Sequence, residues 1–342
     1  MSKRNLLLLL LIVTGTFTRC GEFKKPSKPV VTPSKKTVVA GTSPAPEKPA
    51  IDTARYNALL LYLNHGITSA HWPVKTTYPF APPLLPFKRI VAYYGNFYSA
   101  HMGILGALPP DNVLQKLQAE IKNWQEADTL IPVQPAIEYI AVTAQGKPGK
   151  DGKYRQRMPF SQVDKALALA EKINALLILD VQVGHDSLSN ELPRLEPYLK
   201  MNNVHLAIDP EFSMKDGAIP SSEIGNFDAG DINYASGYLA QLVHRYHLSP
   251  RLLIVDRFTE HMVTNYQSII KRPEVQIVMT MDGFGMPAKK INTYKQFIAS
   301  EPVQFTGFKL FYKNDIASAP YKLMTPAEVL KLDPSPVYIQ YQ

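Results

Sequence analysis

The sequence predicts an α/β fold, a (β/α)8 TIM barrel, and three observations carry that prediction. From residue 88 onward, short apolar runs alternate with stretches of helical periodicity. There are eight such runs within residues 88–342, and about 250 residues is typical of this barrel. The runs are continuously apolar rather than alternating, as expected of parallel strands buried on both faces.

The strands are expected at Ile90–Tyr94, Ile131–Tyr139, Leu176–Val181, Val204–Ile208, Leu252–Val255, Val275–Met281, Thr306–Phe311 and Pro336–Tyr341. Helical periodicity falls near 111–127, 160–174, 188–200, 229–247, 260–271, 289–299 and 325–332. An open doubly wound sheet is the competing arrangement. It is weakened because Tyr94-Gly95-Asn96 runs into Phe97 and not into a glycine-rich phosphate loop. Ahead of the barrel, Asp52–Asn64 reads as a short helix with Tyr56, Leu59, Leu60 and Leu63 on one stripe and Gly66 as its stop. Residues 67–87 are proline-rich and read as a wrapping segment.

Composition narrows the function classes. Hydrophobic residues make up 45% and charged residues 19%, which excludes a wholly disordered or fibrous chain. The longest apolar run, Leu6–Val13, falls well short of the roughly 20 residues a bilayer span needs, which excludes a polytopic membrane protein. The net charge of +8 is concentrated at the N-terminus, where residues 1–50 hold nine of the 37 Lys/Arg and two of the 29 Asp/Glu. The rest is nearly neutral, so a nucleic-acid surface is not implied.

Cys20 is the single cysteine, so neither an intramolecular disulfide nor a cysteine nucleophile in the barrel is available. Lys3 and Arg4 precede the apolar Leu6–Val13, as in a secretory leader. The segment resembles a bacterial lipoprotein signal, with Phe17 and Arg19 standing where Leu and a small residue are usual. The resemblance implies removal of residues 1–19 and lipidation of Cys20. The protein would then be lipid-anchored in the bacterial cell envelope, facing the periplasm or the cell surface. Residues 20–50 would be a Pro/Lys-rich tether, residues 51–87 a helix and wrapping segment, and residues 88–342 the barrel.

In such a barrel the active site lies at the C-terminal strand ends. The runs end on Glu138, on Asp180 and Gln182 followed by His185, on Asp209-Pro210-Glu211, on Asp256 and on Asp282; the seventh carries Lys309 and Tyr312. Strand parity places a small or apolar residue below each acid on the same face, as in Ala136 and Glu138 or Ile254 and Asp256. Each could have a structural role alone: Asp256 as a helix cap, Glu138 as a bridge to Lys309. Asp209 and Glu211, two apart on a strand, would point the same way, each raising the other's pKa. A general acid needs such a shift.

The D-x-E strand end is similar to those of chitinase-like barrels and family 25 lysozymes. That similarity implies Glu211 as the acid and Asp209 as the stabilising carboxylate, with Asp282 and Asp180 in support. A broader resemblance rests on Tyr93-Tyr94-Gly95, Met102–Gly106, Pro135–Glu138, Leu179–Gln182 and Ala207–Phe212, taken in order. It points to a group of bacterial secreted and lipoprotein TIM-barrel proteins regarded as glycoside hydrolases. The expectation is therefore a membrane-anchored glycoside hydrolase acting on a polysaccharide or peptidoglycan without a cofactor or metal. Tyr94, Glu138, Gln182, His185, Asp256, Lys309 and Tyr312 would bind substrate. The alternatives are a metal-assisted hydrolase using the same acids and a non-catalytic glycan-binding lipoprotein. No G-x-S-x-G marks a serine hydrolase.

Overall fold

The computed structural model describes residues 50–317 and 320–342. The leader, Cys20 and nearly all of the tether lie outside the described residues. The barrel strands are β1 (Arg89–Gly95), β2 (Val133–Ala144), β3 (Leu176–Val181), β4 (Val204–Ile208), β5 (Arg251–Arg257), β6 (Val275–Met281), β7 (Phe305–Leu310) and β8 (Tyr338–Tyr341). Each pairs in parallel with the next, and β8 pairs with β1, so the sheet closes. The expected (β/α)8 barrel is present, with strand bounds within two residues of the sequence reading except at the end of β2.

Alternation of side chains along the strands divides the core in two. Outward residues such as Val91, Ile137, Leu179, Leu206, Val255, Ile277 and Phe308 pack against the surrounding helices. These include α2 (Pro110–Ala127), α3 (Phe160–Glu171), α4 (Leu188–Leu199), α5 (Ala229–Tyr246) and α6 (Pro287–Tyr294), all numbered after the N-terminal α1 (Thr53–Leu63). Inward residues Ile90, Ala92, Ala136, Ile178, Ala207, Ile254 and Val278 form a second cluster with Tyr56, Leu59 and Leu63 of α1. Thus α1 packs its apolar stripe onto the N-terminal end of the barrel, capped by Asp52 accepting from the Arg55 N–H. The interior is tight: a Cβ at Gly307 would lie 2.5 Å from Thr280 Oγ1.

Three local expectations are corrected. Residues 260–271 form two 3-10 turns, Glu260–Met262 and Tyr266–Ser268, around the short strand Val263–Thr264, which pairs with Phe227–Asp228. Asn265, at a φ of 54°, turns the chain left-handed and stops a helix there. The helix expected at 325–332 is one turn, Pro326–Val329, started by a Thr325/Glu328 capping box. β2 continues past Tyr139 to Ala144 and carries an antiparallel arm strand, Arg155–Arg157.

Ion pairs hold that arm. Arg155 reaches Glu191 at 2.7 Å, Asp151 at 2.7 Å and Asp186 at 2.6 Å, and Arg157 bonds both Glu191 carboxylate oxygens. Glu191 is wholly buried on α4, so this network ties the arm to the turn after β3.

Candidate functional site

Above the apolar lower half, the inward face becomes polar. Tyr94, Glu138, Asp180, Asp209, Asp256, Thr280, Lys309 and Gln340 are all buried there, with Asp282 at the rim. A cavity of about 530 Å³ opens over them at the C-terminal strand ends, with Tyr94, Gln182, Asp209, Glu211, Asp282 and Lys309 in its lining. A larger hollow of about 710 Å³ lies elsewhere, between Trp72 and Ile291 of α6, away from the carboxylates.

β4 ends at Ile208, one residue short of the acid pair. Asp209 instead caps a 3-10 turn, Pro210–Phe212, and its Oδ1 accepts from the Glu211 N–H at 3.1 Å. Glu211 therefore enters the cavity from that turn and not from the strand, which corrects the shared-strand geometry. One carboxylate oxygen each from Asp209, Glu211 and Asp282 lie within 4.8 Å of one another. Burial, then Asp282, pushes Glu211 up to about 7. Asp209 is not a leading cause of that shift, but Glu211 is among the groups that raise Asp209, so the expected coupling is present in one direction.

Lys309 is the cation of this inward face. Its Nζ lies 2.8 Å from Asp282 Oδ1 and 3.5 Å from Asp256 Oδ2, and 4.4 Å from the Tyr94 ring centroid. Burial works to lower its pKa, but Asp256, Asp282 and Asp209 overcome this and hold it well above the usual lysine value. The alternative reading of Glu138 as a bridge to Lys309 is not realised; Glu138 takes the Tyr338 hydroxyl instead. Burial raises Glu138, Asp209 and Asp256 well above the carboxylate range, and Asp180 to about 7.

A relay orients Asp209. Gln182 Nε2 donates to the Tyr94 hydroxyl at 3.2 Å and to Asp209 Oδ2 at 3.5 Å, while its Oε1 accepts from Ala144 N–H. The Tyr94 hydroxyl donates to Asp180 Oδ2 at 3.0 Å. Asp180 Oδ1, Asp256 Oδ1, Glu138 Oε1 and both amide atoms of Gln340 are buried without a hydrogen-bond partner. Such orphaned groups are costly unless something else satisfies them.

The structure thus brings Tyr94, Gln182, Asp209, Glu211, Asp282 and Lys309 to one cavity and places Glu138, Asp180 and Asp256 beneath it. Two expected substrate contacts fall elsewhere. His185 bonds the Ala218 carbonyl at 2.7 Å and packs, tilted, against the Tyr154 ring, because Gly184, at a φ of 59°, turns the chain aside. Tyr312 has outward parity and bonds Tyr93 and Glu120. Sequence reading missed the cavity wall of Phe258, Phe284 and Phe311 and the rim residues His101, Lys289 and Asn314. All but Phe311 lie in loops or at a helix start, where parity gives no signal.

No family model and no curated protein matches this chain. Among solved structures, the fold is similar to dihydropteroate synthase from Burkholderia cenocepacia, complexed with 7,8-dihydropteroate. The TM-score is 0.36 at 13% identity, over 74% of this chain and 86% of that one. The membrane-anchored glycoside hydrolase expectation is not upheld: no family model or curated protein supports the grouping on which it rested, and the solved structure named above is not a glycoside hydrolase. Among the described residues, no helix is long and apolar enough to cross a membrane.

Proposed function

We propose that the protein is a metal-assisted hydrolase whose barrel mouth holds a hard divalent cation, such as Mg2+ or Mn2+, on Asp209, Glu211 and Asp282. The observation that carries this reading is the convergence of those three carboxylates to within 4.8 Å at the floor of an open cavity. The donor set is all oxygen, which suits a hard ion. The crowding of acids supports it too. Six carboxyl groups (Glu138, Asp180, Asp209, Glu211, Asp256 and Asp282) gather at this strand end, and the orphaned Asp180 Oδ1 belongs to the same hydrogen-bonded group as Asp209.

The chain's own residues divide the remaining work. Gln182 fixes the Asp209 carboxylate, and Lys309 fixes that of Asp282. Glu211, pushed up to about 7 by burial, must lose its proton before it can ligate, so ion binding should weaken as pH falls below that value. Phe258, Phe284 and Phe311 limit water on the far wall. A bound cation would supply Lewis-acid polarisation of a substrate oxygen. The substrate class that fits is a small phosphoester, whose anionic oxygens suit a cation in a cavity that Lys309 and Lys289 also line.

The test is hydrolysis of p-nitrophenyl phosphate and bis(p-nitrophenyl) phosphate by metal-stripped protein, before and after addition of Mg2+ or Mn2+. Turnover that appears with the cation and is lost in Asp282→Asn is the expected result. Turnover unaffected by chelator, or none with either ion, contradicts the proposal.

A further inference from the structure

We infer that the buried Lys290–Asp315 pair is a positioning strut for the mouth, setting where Asp282 and Lys309 stand relative to each other. The inference rests on the cation reading above but concerns residues that line no part of the cavity. Lys290 projects from α6 and is 1% exposed; Asp315, in the loop after β7, is 3% exposed.

Lys290 Nζ donates to Asp315 Oδ2 at 2.6 Å and to the Lys309 carbonyl at 2.8 Å. Asp315 Oδ1 accepts from the Gly285 N–H at 2.9 Å, and its Oδ2 from the Phe311 N–H at 3.0 Å. The pair therefore grips both halves of the Asp282–Lys309 contact from outside. It holds β7 by the backbone of Lys309 and Phe311, and it holds the loop after β6 three residues beyond Asp282. Gly285 has a φ of 125°, so this turn is reached by a glycine and then pinned by Asp315. Phe284, between these points, packs edge-on against Phe311 at 5.9 Å and forms part of the cavity wall.

A buried ion pair is weak evidence for stability, because apolar residues of similar size often replace one at no net cost. Here each member also holds backbone on a different strand end, and that second task is one an apolar pair cannot perform. Groups that orient metal ligands from behind typically affect metal affinity by 10–100-fold.

The experiment compares wild type with the double variant Lys290→Met/Asp315→Leu, which leaves no unpaired buried charge, and with Asp315→Asn, which retains an acceptor for Gly285. Three quantities are read: Mn2+ affinity by calorimetry, thermal midpoint, and amide exchange of residues 282–286. In the double variant we expect a lowered midpoint, because the Gly285 and Phe311 N–H groups and the Lys309 carbonyl lose their partners, with Mn2+ affinity reduced at least tenfold and exchange at 282–286 accelerated beyond that of the barrel strands. Asp315→Asn should fall between the two, and it carries the test if the double variant does not fold. Wild-type affinity and exchange in the folded variants would overturn the inference. Wild-type protein that binds no Mn2+ would sink the cation reading instead, and exchange at 282–286 would then decide the strut alone.

Discussion

Lys309 Nζ stands 2.8 Å from Asp282 Oδ1 across the ends of two neighbouring strands, with both side chains almost wholly withdrawn from water. Lys309 is 3% exposed and Asp282 7%. At that depth a charge without its partner is expensive, and Asp256 depends on the same lysine.

Replacing Lys309 by Met should therefore destabilise the fold by about 3–5 kcal/mol, the usual range for breaking a buried pair. Asp282→Asn combined with Lys309→Met should cost less than the two single changes together, because it leaves fewer unpaired carboxylates. Urea unfolding of the four proteins checks this. Strict additivity would show that the two residues do not share an interaction.

Stability should depend on pH with a definite sign. Glu211 and Asp180 are each pushed up to about 7 by burial, from ordinary values of 4.5 and 3.8. Through that interval the folded chain keeps protons that the unfolded chain has released. Their contribution is therefore fully present below about pH 4 and is lost as pH rises through 7. The metal-free protein should show a falling urea midpoint between pH 5 and pH 8. Asp180→Asn should flatten the slope. An unchanged slope in that variant would remove Asp180 from the account.

Gly307→Ala probes the barrel interior. The added methyl would meet Thr280 Oγ1 at 2.5 Å and the Tyr338 ring at 3.0 Å. Overpacking of this kind costs about 1–3 kcal/mol, measurable as a lowered thermal midpoint. A neutral result would mean that β6 and β8 can move apart there.

Arg155→Met should detach the arm strand. Buried Glu191 would keep only Arg157 and the more distant Arg194, and Asp186 would lose its 2.6 Å partner. A loss of about 3 kcal/mol or more is expected, with amide exchange at 155–157 accelerating beyond that of the barrel strands. Uniform acceleration across the barrel would show that the arm belongs to the same cooperative unit.

Much of this architecture was legible in the sequence, for a physical reason. Strands buried on both faces must be apolar throughout, so Leu176–Val181, Val204–Ile208 and Val275–Met281 emerge with their observed bounds. Parity then carried Glu138, Asp180, Asp209, Asp256 and Asp282 to the inward face. It misjudged Glu211, because Pro210 ends the strand early and opens a 3-10 turn. Parity has no force past a turn, which is why His185 was misplaced; Tyr312, three residues beyond inward Lys309, is outward by parity and was misplaced because parity was applied only to the acids. Lys290 and Asp315 left no signal, since their pairing exists only once β7 lies beside α6. The acid pattern likewise led to a sugar hydrolase, because carboxylates at a barrel mouth serve sugar chemistry and cation binding alike. The three-dimensional convergence of Asp209, Glu211 and Asp282, which no sequence pattern shows, is what favours the cation.

The most direct test of that convergence is crystallographic. Crystals of metal-free protein soaked in Mn2+ would be measured at a wavelength where manganese scatters anomalously. We predict one strong anomalous peak bounded by Asp209, Glu211 and Asp282 and absent in Glu211→Gln/Asp282→Asn. An empty mouth, or manganese bound only at other carboxylates, would contradict the account.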